Sequence, residues 1–307
     1  MEELFKLYDR SGCIETIDTD TAVTVGVFDG VHRGHQALFH QLSTLSPFTS
    51  HLSPLAVTLT AHPSFVLGRR DSEYWLDDKD EHLHLLFEAG ARYVAVLPFS
   101  REVAQLTACQ MARLLYVKLR MRALLIGYDS RFGSKQNDDF ENLPLLAKEL
   151  GFTISKGDPF TIGDGPISSS RIRESLTSGN VEETANLLGR HYSVTGTVEH
   201  GRGVGHTLGF PTANIDLSQT RKMLPAHGVY VVSVGSLFGM ANLGDAPTFG
   251  VDKPTLEVHL LDYCGDLYNQ TVTVEFLHRL RDIEHFDTAE ALRTQLNKDI
   301  EQARLWS

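Results

Sequence analysis

The stretch Val25–Phe39, VGVFDGVHRGHQALF, decides the first half of the fold. An apolar run, AVTVGV (Ala22–Val27), enters a turn carrying Gly26, Phe28, Asp29, Gly30 and Gly34, and a helical pattern begins near His35. Strand, glycine turn and helix in that order put the turn at the carboxyl end of a parallel strand, where α/β sheets bind ligands. Glycines let backbone N–H groups approach phosphate oxygens, and a helix N-terminus adds partial positive charge. His32 and His35, three residues apart, can face one ligand and donate hydrogen bonds to phosphate oxygens as charge moves to a leaving group. The pair alone also fits a solvated helix start, or a zinc site with His62 as third ligand. The glycines and the strand favour phosphate, and no carboxylate or thiolate completes a tetrahedral set. The stretch is neither the G-x-G-x-x-G fingerprint nor a P-loop.

Outward from this stretch the rhythm repeats. LAVTL (Leu55–Leu59), YVAVL (Tyr93–Leu97) and ALLIG (Ala123–Gly127) read as buried strands; His35–Leu45, Asp80–Ala89, Glu102–Leu119 and Asn142–Leu150 carry helical spacing. Regular alternation predicts an α/β, Rossmann-like domain with a parallel sheet covered on both faces. After about Gly189 the segments HYSVTGTVE (His191–Glu199), GVYVVSV (Gly228–Val234), TLEVHLLD (Thr255–Asp262) and QTVTVEFL (Gln270–Leu277) follow closely, separated by turn residues. They predict a small antiparallel β-barrel, closed by a helix over Thr288–Leu305. The change of rhythm near Leu188–Tyr192 divides the chain into 1–188 and 189–307.

Composition agrees. A chain of 307 residues suits about two domains, and 42% apolar with 22% charged residues is globular composition. The net charge of −11 disfavours nonspecific binding to nucleic acid or an anionic membrane. It leaves room for anionic small ligands, which answer to local dipoles and a few guanidinium groups. Cys13, Cys109 and Cys264 are scattered and odd in number, so neither a disulfide framework nor a thiolate zinc site is indicated. The acidic start MEELFKLYDRSGCIETIDTD is unlike a signal peptide, and no run approaches 18 apolar residues. These features predict a cytoplasmic protein of small-molecule chemistry, with no nucleic acid, membrane or obligatory protein partner.

The stretch Val25–Phe39 resembles the G-x-F-D-G-x-H-x-G-H signature of the nucleotidylyltransferases. Three further segments extend the likeness: TLTAHPSFVL (Thr58–Leu67), LIGYDSRFG (Leu125–Gly133) and GPISSSRIRESLTSGNVEETANLLGRHY (Gly165–Tyr192). Together they look like the adenylyltransferase half of the prokaryotic bifunctional riboflavin kinase/FMN adenylyltransferases. The resemblance implies that His32, His35, Ser168, Ser169 and Arg173 handle ATP phosphates, with Ser170 in the same hydroxyl run. It also implies that His62 and the Asp129 loop frame the flavin and ATP pockets.

The second half carries its own likeness. GTVEHGRGVGHTLGFPTANIDL (Gly196–Leu217) resembles the flavokinase signature, with a glycine loop (Gly201, Gly205, Gly209) leading into Pro211-Thr212-Ala213-Asn214. Thr212 and Asn214 alternate on an extended segment and so share a face; their oxygens are hard ligands suited to Mg²⁺ beside ATP phosphates. The resemblance implies that Glu257 is the general base and that Arg281 and Phe286 help close the flavin site; with its period-2 neighbour Thr255, Glu257 is expected to point into a barrel mouth. It implies two reactions: riboflavin to FMN in the barrel, and FMN to FAD with release of pyrophosphate in the α/β half, both using ATP and Mg²⁺. Two other readings share these motifs, an enzyme with one degenerate module and a non-catalytic flavin-binding regulator. The chain departs from the pattern at Thr60-Ala61, at Ser130, along Ser134–Leu143 and at His206. Asp138 and Asp139 in that third segment would repel phosphate if they faced it.

Overall fold

Both faces of the first-half sheet are covered by helices, which is why its strands read as unbroken apolar runs. The computed structural model describes residues 4–45, 51–60, 74–130, 132–134, 139–163, 165–201, 209–245 and 254–306. Five parallel strands form the sheet's centre: β3 (Thr21–Gly26), β4 (Ser53–Leu59), β5 (Tyr93–Leu97), β6 (Met121–Ile126) and β7 (Thr153–Lys156). A hairpin of β1 (Lys6–Asp9) and β2 (Gly12–Ile14) adds antiparallel to β5, giving the order β2-β1-β5-β4-β3-β6-β7. The chain runs from β3 outward to β5 on one side, then returns to place β6 and β7 on the other. The switch point therefore lies between β3 and β6.

Alternation along each strand sorts the side chains. Ala22, Ala56, Val94, Ala123 and Leu125 face α1 (Arg33–Thr44) and α2 (Lys79–Glu88), meeting Leu38, Phe39, Leu42, Leu86 and Phe87. Val23, Leu55, Val57, Ala95, Leu124 and Ile126 pack in the opposite layer with Met111, Ala112, Leu115, Leu146 and Ala147. That layer's helices follow α3 (Arg101–Gln105): they are α4 (Ala108–Lys118) and α5 (Leu143–Leu150). The single helix expected over Glu102–Leu119 is thus two. Thr107 ends the first by starting the second: its hydroxyl accepts from Gln110 N–H while Gln110 accepts from Thr107 N–H. A two-stranded ribbon, β8 (Thr161–Ile162) and β9 (Gly165–Pro166), precedes α6 (Ser169–Thr177) and α7 (Val181–Leu188).

The second half is a closed antiparallel barrel in the order β10-β11-β14-β13-β12-β15. Its strands are β10 (Tyr192–Glu199), β11 (Ala213–Asp216), β12 (Gly228–Val234), β13 (Leu237–Asp245), β14 (Pro254–Leu260) and β15 (Thr271–Arg281). The helix α8 (Ala289–Ala303) follows, starting at Thr288, whose hydroxyl caps Ala291 N–H. Packing divides the chain into two units, 1–169 and 170–307. The helices α6 and α7 therefore go with the barrel, although the strand rhythm changes only at Tyr192. Ala226 N–H donates to Leu176 O, and Glu182 pairs with His278 on β15. No helix among the described residues is long and apolar enough to cross a membrane.

Candidate active sites

In the first unit a cavity of about 160 Å³ opens at the switch point. It is lined by the β3 turn (Gly26, Val27, Phe28, Asp29), by His32, Gly34 and His35 of the α1 start, by Gly127–Ser130 after β6, and by Ser168 and Ser169. One backbone hydrogen bond sets the turn: Val31 N–H donates to Phe28 O (2.8 Å), and Gly30, third of the four residues, has φ 79°. A type II turn requires that left-handed value, which favours glycine. Phe28 (φ 52°) and Val31 (φ 37°) are left-handed too, at a cost of about 1–3 kcal/mol each. Such a bend persists only when its surroundings hold it.

Helix α1 starts at Arg33, two residues before the expected start, because His32 is the N-cap and its Nδ1 accepts from His35 N–H (3.4 Å). The two imidazoles stack with ring centroids 3.6 Å apart, and Phe28 meets His35 edge-on at 5.3 Å. Burial, with the neighbouring His32 and His82, holds His35 well below the ordinary histidine value of 6.5. Its Nδ1 is buried without a partner among the described residues. A neutral ring with an unused nitrogen at a helix N-terminus is equipped to meet a ligand. Gly26 and Gly34 admit the rings: a Cβ would stand 2.8 Å from Phe28 and 3.1 Å from His32.

Asp29, expected to touch ATP, lines the cavity and also braces the turn. Its Oδ1 accepts from Leu76 N–H (2.8 Å), and its backbone O accepts from the Ser169 hydroxyl (3.1 Å). Its work is to hold the turn. Ser170 and Arg173 follow on α6, which packs with the second unit. Asp129 lines the cavity. Asp139 does not: it accepts from the Thr107 hydroxyl (2.7 Å) and Cys109 N–H (3.1 Å), spending its charge on the start of α4. His62, Arg131 and Asp138 lie outside the described residues.

The second unit has two cavities. Alternation along β14 buries Leu256, Val258 and Leu260 inside the barrel and leaves Glu257 and His259 on its outer face. Glu257 is thus not at a barrel mouth, as the sequence suggested, but in an outer cleft of about 190 Å³ roofed by Leu292 and Leu296 of α8. Strand register brings its neighbours alongside: Asn214 on β11 and Asn242 on β13 both pair with Glu257, and Val229, opposite Asn242, pairs with Arg281. The Glu257 carboxylate makes no hydrogen bond or ion pair with any described residue. Arg281 is held by Asp299 of α8 (Nη2–Oδ2 2.8 Å; Nε–Oδ1 3.1 Å) and lies 5.9 Å from the Phe286 ring, both lining the cleft.

The second cavity, about 470 Å³, opens at the barrel mouth between Val198, Ala213, Val258 and Leu260 and the loop Tyr263–Tyr268. Thr212 is the one described residue that lines both cavities. His259, which the sequence reading passed over, fixes it: its ring Nδ1 bonds Pro211 O at 2.8 Å. The signal was present, since His259 stands two residues from Glu257 and shares its face. Gly201 is required by close approach, for a Cβ there would fall 2.0 Å from Asn214 Nδ2. Gly209 has φ 88°. Gly205 and His206 lie outside the described residues.

Comparisons with known proteins fall on these two units. The FAD synthetase family profile matches residues 14–171, and the riboflavin kinase profile matches residues 188–307. A bifunctional riboflavin kinase/FMN adenylyltransferase of Haemophilus influenzae is 36% identical over 291 residues, 92% of this chain and 93% of that protein. Its counterpart in Escherichia coli K12 is 36% identical over 301 residues, covering 96% and 93%. A crystal structure from Streptococcus pneumoniae, named as a macrolide-efflux protein, superposes with a TM-score of 0.84 at 31% identity, covering 95% of this chain and 96% of that one. With both halves matched in order and over most of both chains, the chain belongs to the bifunctional riboflavin kinase/FMN adenylyltransferases.

Proposed function

We propose the following assignment of the two reactions to the cavities. In the barrel, ATP occupies the mouth cavity and riboflavin the outer cleft beside Arg281 and Phe286, and the phosphoryl group crosses at Thr212. The observation that carries this assignment is that Thr212 borders both spaces. Glu257, uncommitted to any described partner, takes the proton from the ribityl 5′-hydroxyl as that oxygen attacks the γ-phosphorus and ADP departs. The Thr212 hydroxyl and Asn214 amide oxygen are hard neutral donors and suit Mg²⁺. Gly201 leaves the Asn214 amide the space it needs there. When bound, the ion spreads charge on the polyphosphate.

In the first unit the β3 turn and α1 start grip the triphosphate of a second ATP. The FMN phosphate oxygen attacks the α-phosphorus, the bond to pyrophosphate breaks, and FAD forms. Neutral His35 and its stacked neighbour His32 donate hydrogen bonds to the phosphate oxygens, aided by the Ser168 and Ser169 hydroxyls. Asp129 borders the flavin end. Neither reaction calls for a covalent enzyme intermediate; positioning and electrostatics supply the catalysis. We place the enzyme in the cytoplasm, consistent with three free thiols at Cys13, Cys109 and Cys264.

Riboflavin, ATP and Mg²⁺ given to the purified protein test the assignment. FMN rises first and FAD follows, with one pyrophosphate per FAD. FMN alone identifies a degenerate first half, and unchanged riboflavin identifies a regulator.

A further inference from the structure

The strained β3 turn needs an outside support, and the structure supplies one from residues that are not among those lining the cavity. Thr58 stands one residue before the end of β4, beside the turn, and its hydroxyl donates to Val27 O (3.2 Å). Asp77 lies just before α2, and its Oδ2 accepts from Gly30 N–H (3.0 Å). His82, one turn into α2, joins the two: its Nδ1 bonds Asp77 Oδ2 at 3.0 Å and its Nε2 meets Thr58 Oγ1 at 2.9 Å. Thr58, Asp77 and His82 are 2%, 3% and 9% exposed. Both ends of this buried chain are backbone groups of the turn, and Asp77 makes its hold through Oδ2 alone, its Oδ1 being buried without a partner.

We propose that Thr58, His82 and Asp77 are positioning residues for adenylyl transfer: a buried bridge that grips the turn at Val27 and Gly30 and fixes where its backbone groups meet the triphosphate. The inference rests on the assignment of ATP to this turn. The bridge spans the bend from both sides, with Val27 before the left-handed Phe28 and Gly30 after it. Asp29 closes the same junction in the reverse sense, accepting from Leu76 N–H. Losing the bridge lets the bend relax and moves the phosphate cup without removing it. Small displacements of a reacting geometry cost rate far more than affinity.

The test measures both activities of the full chain. In T58V, which keeps the shape and loses the hydroxyl, and in D77A, kcat for FAD formation from FMN falls about tenfold to a hundredfold while KM for ATP and FMN stays within about threefold. FMN formation from riboflavin keeps its wild-type rate. T58S and D77N preserve the hydroxyl and the shared acceptor oxygen, and recover kcat to within about threefold of wild type. Wild-type kcat in both T58V and D77A overturns the proposal. So does a rise in KM with kcat unchanged, or a loss in T58S and D77N as deep as in T58V and D77A. Should D77A fail to fold, the isosteric T58V/T58S pair decides alone. H32A separates the two levels: if it spares FAD formation, the placement of ATP at this turn fails; if it abolishes FAD formation while T58V and D77A do not slow it, only the bridge fails.

Discussion

Glu257 owes its position to a rule as simple as period two. Its neighbours Leu256 and Val258 fill the barrel, so it must face outward, and register lines it up with Asn214 and Asn242. E257Q keeps the shape and removes the base; FMN formation should slow by about a hundredfold or more while FAD formation from supplied FMN continues. Rates of the two half-reactions check this. His35 makes a different prediction. Burial lowers its folded pKa below the ordinary 6.5, so the unfolded chain takes up the proton first as pH falls. The stability His35 preserves is whole above 6.5 and is lost as pH drops from there toward the lowered value. Thermal unfolding of the first unit should therefore weaken below pH 6.5 more steeply in wild type than in H35Q, and equal slopes would contradict it. Residue types and spacing singled out His32 and His35 in the sequence, whereas Glu257 was singled out only by the resemblance. The direction of Asp29 was not legible there, since its partner Leu76 lies 47 positions away and only the folded turn brings them together.

At the scale of elements, patterns that repeat within one segment were readable. YVAVL is β5 from Tyr93 to Leu97 as expected, and the four expected barrel runs fall on β10, β12, β14 and β15, whereas β11 and β13 were not among the expected strands. The hairpin β1–β2 was missed because its short edge strands bury little and carry no continuous apolar run. The division of Glu102–Leu119 was missed because helical spacing survives across a capping box. Helix α8 carries the element-scale prediction. Asp299, 2% exposed at its side chain, holds Arg281 in the outer cleft, and Gln295 donates to the same carboxylate. D299A strands a largely buried guanidinium, so the barrel should lose about 3–5 kcal/mol in denaturant unfolding. The KM for riboflavin should rise as Arg281 loses its orientation; unchanged stability and KM would remove α8 from the cleft's account.

For the whole molecule, two different folds are joined in one chain, and each carries its own ATP chemistry. The two family matches leave residues 172–187 between them, most of α6 and α7, and packing assigns these helices to the barrel. Sequence rhythm could not show that, because an amphipathic helix does not name the surface it covers. With a net charge of −11, anionic ligands depend on local groups, and the first unit brings two stacked imidazoles together at a helix start. If the two units are separate catalytic sites working in series, a time course of riboflavin, FMN and FAD in wild type, H32A and E257Q, each supplied first with riboflavin and then with FMN, separates them. H32A should accumulate FMN and make no FAD from either flavin, whereas E257Q should stall on riboflavin yet convert FMN to FAD at the wild-type rate. Loss of both activities in either folded variant would contradict separate sites.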